Sequence, residues 1–131
     1  MAVTLRAYIT RADRIFVRFT FTDRFLQNLP GDPETGRHTR QVTGALYSRI
    51  APEPVDNPRM LAWSQETADL LGLPESADDE ALSILSGNAT GAGSVPYATV
   101  YGGHQFGHWA GQLGDGRAIN LGEVGGYTLQ L

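Results

Sequence analysis

Between Tyr101 and Glu123 the chain reads Y-G-G-H-Q-F-G-H-W-A-G-Q-L-G-D-G-R-A-I-N-L-G-E, with seven glycines in twenty-three positions. Glycine at that density works against a helix, since each interior glycine costs about 1 kcal/mol relative to alanine. Strands joined by tight turns remain. Tyr97 to Tyr101 (Y-A-T-V-Y) has the β-branched and aromatic character of a strand. Gln112-Leu113 and Arg117-Ala118-Ile119-Asn120-Leu121 flank Gly114-Asp115-Gly116, and an Asp-Gly pair between apolar runs is a strong hairpin signal. Gly125-Gly126 predicts a second turn, and Tyr127 to Leu131 a third strand on which the chain stops. Such glycine-dense backbone also lets main-chain N–H groups approach a bound group closely, often a phosphate.

The upstream part reads as scaffold. Two short helices are expected. Ser64 caps the first, Glu66 complements its dipole, and Gly72 closes it. The second has Ser76 as its cap, with Asp79 completing an S-x-x-D box and Asp78 and Glu80 adding negative charge to its first turn. Ala81, Leu82, Ile84 and Leu85 are its buried stripe, and Gly87-Asn88 ends it. A helix start accounts for the acid cluster at 78–80 without any metal. Ile15 to Phe21 alternates as a strand does, Leu29 to Arg40 is turn-rich, and Pro52 and Pro54 favour extended backbone. Asn88 to Pro96 is small and polar, and marks the plausible subdomain boundary. The chain thus divides into an extension at 1–18, a region with two short helices at 19–95, and the glycine-rich strands from 96 to 131.

Composition removes several classes of function. The net charge of −4 argues against a general nucleic-acid binder. No apolar run approaches the roughly 18 residues of a membrane span. There is no cysteine, so thiolate metal sites are excluded, and all ten basic residues are arginines, so neither a lysine nucleophile nor a lysine phosphate clamp can come from this chain. The arginine-rich start, Met1 to Arg18, raises an organellar presequence as an alternative to an extension of no function, and with it a mitochondrial location beside the cytoplasmic one.

Three groups of side chains could carry chemistry. His104 and His108 have the four-residue spacing that puts two imidazoles on one helical face for zinc, yet Gly102, Gly103 and Gly107 oppose a helix there. Packing or hydrogen-bonding histidines are therefore expected, with a histidine-based metal hydrolase as a minor reading. Asp115 as a general base competes with the habit of turn aspartates to bond their own backbone. His38 lies beside Arg37 and Arg40, an anion-binding pair or an exposed loop. Last, Gly114 and Gly116 could let the backbone reach an anion while Arg117 supplies a forked cation, though on these residues alone an unadorned hairpin fits as well.

Taken together, Tyr101-Gly-Gly-His104-Gln105-Phe106-Gly107-His108-Trp109, Gln112-Leu113-Gly114-Asp115-Gly116-Arg117-Ala118 and Leu121-Gly122-Glu123 resemble the signature of the SelO family, selenoprotein O and its bacterial relatives. Gly44 to Ser48, Pro52-x-Pro54-Val55, Pro58, Leu61 to Ser64 and Leu70 to Leu73 look like the same family's N-terminal region. The likeness covers roughly Phe19 to Leu131. It implies an α+β fold: an N-terminal extension with short helices leading into the first antiparallel strands of a protein-kinase-like N-lobe, truncated. It also implies an ATP-dependent protein adenylyltransferase that moves AMP onto Ser, Thr or Tyr hydroxyls of protein substrates, with Mg2+, and with Gly114, Gly116 and Arg117 at positions that contact the nucleotide. Glu123 fits the pattern without an assigned role, and Gly102 stands where relatives often carry alanine. The family's ATP-pairing lysine, catalytic aspartate and metal ligands fall past Leu131. The expectation is therefore an N-terminal part with no catalytic residue and no metal ligand of its own, inactive alone. A non-catalytic structural remnant without ligand is the alternative.

Overall fold

The structure, a computed structural model, describes residues 19–114 and 118–131. Three short helices, α1 (Arg24–Asn28), α2 (Gln65–Leu71) and α3 (Asp79–Leu85), accompany five strands: β1 (Tyr47–Arg49), β2 (Tyr97–Gln105), β3 (His108–Gly114), β4 (Asn120–Val124) and β5 (Tyr127–Gln130). All the pairings between these strands are antiparallel. The class is α+β, as the sequence led one to expect, with an antiparallel sheet suited to a kinase-like N-lobe.

The sheet runs β1-β2-β4-β5, and β3 pairs with β2. This differs from the expected order of strands. The strands on either side of Gly114-Asp115-Gly116, β3 and β4, share no register among the described residues. β2 and β3 are instead joined at Phe106-Gly107, where Gln105 faces His108. Both turn residues have positive φ, 51° and 81°, the combination a two-residue type I′ connection requires. Phenylalanine is an unusual occupant of such a position, and it hides no apolar surface there: Phe106 is 99% exposed. The β4–β5 turn at Gly125-Gly126, with φ of 60° and 86°, is as predicted. Farther along the β2–β3 ribbon, Ala110 and Gly111 together oppose Gly103, a bulge that the positive φ of Gly111 permits.

The helices follow their caps. In α2 the Ser64 hydroxyl accepts from the Thr67 N–H at 3.2 Å, and Gly72 takes the left-handed conformation that ends it. In α3 the cap is Asp78, not Ser76. The Asp78 carboxylate accepts from the Ala81 N–H at 2.8 Å, two residues later than the predicted box would start the helix. Asp79 and Glu80 occupy the first turn, so the acid cluster is a helix start.

Two clusters make the core. The larger gathers Phe19, Phe21, Ala81, Ile84, Leu121 and Val124. The smaller packs Leu26 with Tyr47 and Tyr97, and the Phe25 ring stacks on Tyr97 at 5.2 Å. The segment at 19–23 straps the molecule together. Phe21 N–H donates to Ala92 O at 2.9 Å, and Thr22 exchanges both backbone bonds with Glu123 at 2.9 and 3.0 Å. Close approach explains the glycines beneath it: a Cβ on Gly93 would lie 2.5 Å from the Phe21 carbonyl oxygen. Residues 15–18 of the expected strand, like the rest of the extension, lie outside the described residues.

Candidate functional site

Of the three residues expected from the resemblance to contact a nucleotide, Gly114 is the last residue of β3 and faces Val100 of β2. Gly116 and Arg117 lie outside the described residues, as does Asp115. What the structure does show is how both ends of this connection are held. Two residues before Gly114, the Gln112 amide pairs with the backbone of Val42: its Oε1 accepts from the Val42 N–H at 2.7 Å, and its Nε2 donates to the Val42 carbonyl. At the other end, the Glu123 carboxylate accepts from Arg24 Nε at 2.7 Å, and the Glu123 backbone is laddered to Thr22.

A cleft opens beside β3, of about 450 Å³, walled by Arg37, His38, Arg40, Arg49, Val100 and Gln112. Its cations are not equivalent. Arg40 is the most committed: it bonds Asp32 and donates to the carbonyls of Glu34, Gly36 and His38, stitching its own loop together. Arg37 is held by Glu53 and by the Ala51 carbonyl, and His38 lies 2.7 Å from Glu34. Arg49 donates to the Tyr47 hydroxyl at 3.3 Å and lies over that ring. The loop is thus tied to the body rather than hanging free, and its acids balance most of its arginines.

Asp32 anchors this side. It is 6% exposed and accepts from the Glu34 N–H, from Arg40 and from Ser48 Oγ. The Glu34 N–H, then the Arg40 and Ser48 bonds, hold its carboxyl below the usual carboxylate range, against the opposing effect of burial. Desolvation has the opposite result at Asp23, whose carboxyl is raised, and at Tyr97, whose hydroxyl is raised by burial and then by Asp23 and Glu123.

The histidines do not converge. His104 faces Trp109 across the ribbon, their rings edge to face at 5.0 Å, and His108 faces Gln105. Cross-strand partners share a face and sequence neighbours alternate, so His104 and His108 lie on opposite faces of the hairpin. Among the described residues no three His, Asp or Glu side chains come together as a metal site. In sequence, 114–117 carry glycine backbone and a guanidinium, donor types that suit an anionic group.

Sequence reasoning passed over Gln112, Arg24 and Val42, and left Glu123 without a role. Nothing local marks them, because each acts through a partner 70 or more residues away.

Comparison with known proteins agrees with these features. A family model described as protein adenylyltransferase SelO matches residues 35–131. A protein nucleotidyltransferase YdiU of Azoarcus sp. (strain BH72) is 57% identical over 118 residues, covering 85% of this chain and 23% of that protein. The proteins of the same name from Nitrosospira multiformis and Methylobacillus flagellatus are 54% and 55% identical, covering 79% and 80% of this chain and 19% and 21% of theirs. The chain therefore spans about a fifth of the length of the curated relatives it matches. With three quarters of its residues inside the family match, among them the whole glycine-rich signature, this chain belongs to the SelO family of protein adenylyltransferases.

Proposed function

We propose that this chain is the nucleotide-facing N-terminal part of an ATP-dependent protein adenylyltransferase, which moves AMP from ATP to Ser, Thr or Tyr hydroxyls of protein substrates. The observation that carries the reading is the family match over 35–131, which includes Gly114-Asp115-Gly116-Arg117. Residues 19–95 are the family's N-terminal region, and 96–131 open the lobe that receives the nucleotide. Gly114 and Gly116 let the main chain come near the phosphates, and Arg117 supplies a forked, permanently charged donor. Phosphoryl-type transfer asks mostly for positioning and charge neutralisation, which glycine backbone and arginine provide. Mg2+ arrives with the nucleotide, and the site of action is cytoplasmic, in keeping with the bacterial origin of the relatives.

Calorimetry tests the reading. ATP with Mg2+ titrated into the chain gives a weak binding heat that Arg117→Ala removes. No heat from the unsubstituted chain under any condition supports the alternative, a structural remnant without ligand.

A further inference from the structure

At Asp23 the strap runs into α1, and there a carboxylate is poorly provided for. An aspartate before a helix usually accepts from an N–H of the first turn, but Asp23 makes no such bond. Its Oδ1 is shut off from solvent and has no hydrogen-bond partner among the described residues. An ionised oxygen in that position is costly. Both sequence neighbours of Asp23 are bound to Glu123. Thr22 exchanges backbone bonds with it, and Arg24 Nε donates to its carboxylate at 2.7 Å, so a second acid is drawn up beside the first. Charged and titratable groups face Asp23 from every packed element: Glu123 from β4, Arg49 from β1, the Tyr97 hydroxyl from β2. Arg49 is shared with the Tyr47 hydroxyl and ring. Desolvation is the largest influence and raises the Asp23 carboxyl; the Leu26 N–H and then Arg49 oppose it, and Glu123 adds to it.

We propose that Asp23 is a proton-operated latch on the strap, fastening 19–23 more firmly across β4 when it takes up a proton and easing them when it gives the proton up. Protonation removes the like charge facing Glu123. It also turns a group that can only accept into one that can donate, with the Glu123 carboxylate as an acceptor on the adjoining strand. The strap keeps its place in both states, because the backbone bonds of Phe21 and Thr22 and the packing of Phe19 and Phe21 do not involve the Asp23 side chain. Linkage sets the direction. A carboxyl raised on folding holds its proton better in the folded chain. Its contribution is therefore absent at neutral pH, grows as pH falls through the folded value and is complete below the ordinary value of 3.8. Asp32 has the opposite sign, which keeps the two effects distinct.

The latch does not depend on the nucleotide reading, and its test uses no ligand. The Phe21 and Thr22 amides donate to Ala92 O and Glu123 O, so their hydrogen exchange reports on the strap. Protection is taken relative to an unstructured peptide, which cancels the intrinsic effect of pH on exchange. Between pH 7 and about pH 4.5 it is expected to rise roughly fivefold in the parent, about the worth of one hydrogen bond, while α3 changes less. Asp23→Asn keeps the shape of the protonated acid, and should show the higher protection already at pH 7 with little further response. The carboxyl carbon of Asp23, followed by NMR, should titrate with a midpoint above 3.8. A midpoint at or below that value overturns the latch. So does strap protection that ignores pH, that keeps its response in Asp23→Asn, or that moves in step with α3. Should Asp23→Asn not fold, Glu123→Gln carries the comparison: with the facing charge gone the Asp23 midpoint should fall, and one that stays put overturns the latch as well.

Discussion

Asp32 shows how much a single side chain can hold. It ties the loop at 34–40 to β1 through Glu34, Arg40 and Ser48, and its carboxyl is held below its ordinary value of 3.8. A carboxylate of lowered pKa contributes stability that is complete above its unfolded value and fades as pH falls through the folded one. Denaturant midpoints should therefore begin to drop below about pH 4, and Asp32→Asn should lower stability at pH 7 while flattening that acid limb. Helix caps give a second residue-scale contrast. Asp78→Ala should cost about 1 kcal/mol by urea denaturation, and Ser76→Ala only a few tenths. At this scale the sequence was legible where the signal is local. Ser64 and Gly72 bound α2 as read, because a cap needs only its own next few residues. For α3, Ser76 and Asp78 are both good cap types, and the apolar stripe Ala81, Ile84 and Leu85 fits a helix begun at either. Register against Phe21 and Leu121 in the core decides between them. Gln112 and Glu123 had no local mark, since their partners are remote.

The glycines distinguish elements made by turns from elements made by contact. Gly126 has φ of 86° with nothing near its missing Cβ, so only the turn demands it. Gly93 has φ of 80° and also lies under the strap, where a Cβ would meet the Phe21 carbonyl at 2.5 Å. Gly126→Ala should therefore cost about 1–2 kcal/mol, the penalty of the left-handed conformation. Gly93→Ala should cost roughly 3 kcal/mol or more, because strain and clash act together; equal losses in thermal melts would mean the strap does not press on this glycine. The same distinction explains the misplaced hairpin. Gly-Asp-Gly and Gly-Gly both carry turn chemistry, but Phe106-Gly107 does not look like a turn on composition, and it is the one that joins β2 to β3. Pairing was settled by β2, a strand long enough at nine residues to hold β1, β3 and β4 along its length.

For the molecule as a whole, the two borders of the sheet are treated differently. β1 is covered by residues 30–32, with Asp32 N–H donating to Tyr47 O and Leu46 N–H to Pro30 O. β5 pairs with β4 alone among the described residues, and Tyr127 on it is half exposed. An uncovered edge invites pairing with another chain. Sedimentation should show concentration-dependent association, which Thr128→Lys reduces; a monomer at all concentrations, parent and variant alike, argues that β5 is covered in solution. The α+β class and the family were legible from Tyr101 to Glu123, whereas the strap at 19–23 was not, being defined by what it crosses.

That strap carries a timetable for biosynthesis. Arg24 and Glu123 are 99 positions apart, and Thr22 and Glu123 are 101 apart. Contacts between distant parts of a chain form late, after the loop between them has been closed. On the ribosome, Phe19 and Phe21 emerge well before Leu121 and Val124, which complete their packing. The nascent polypeptide must carry two unsheltered aromatic rings until β4 has been made, an obvious handle for a chaperone that recognises them before β4 does.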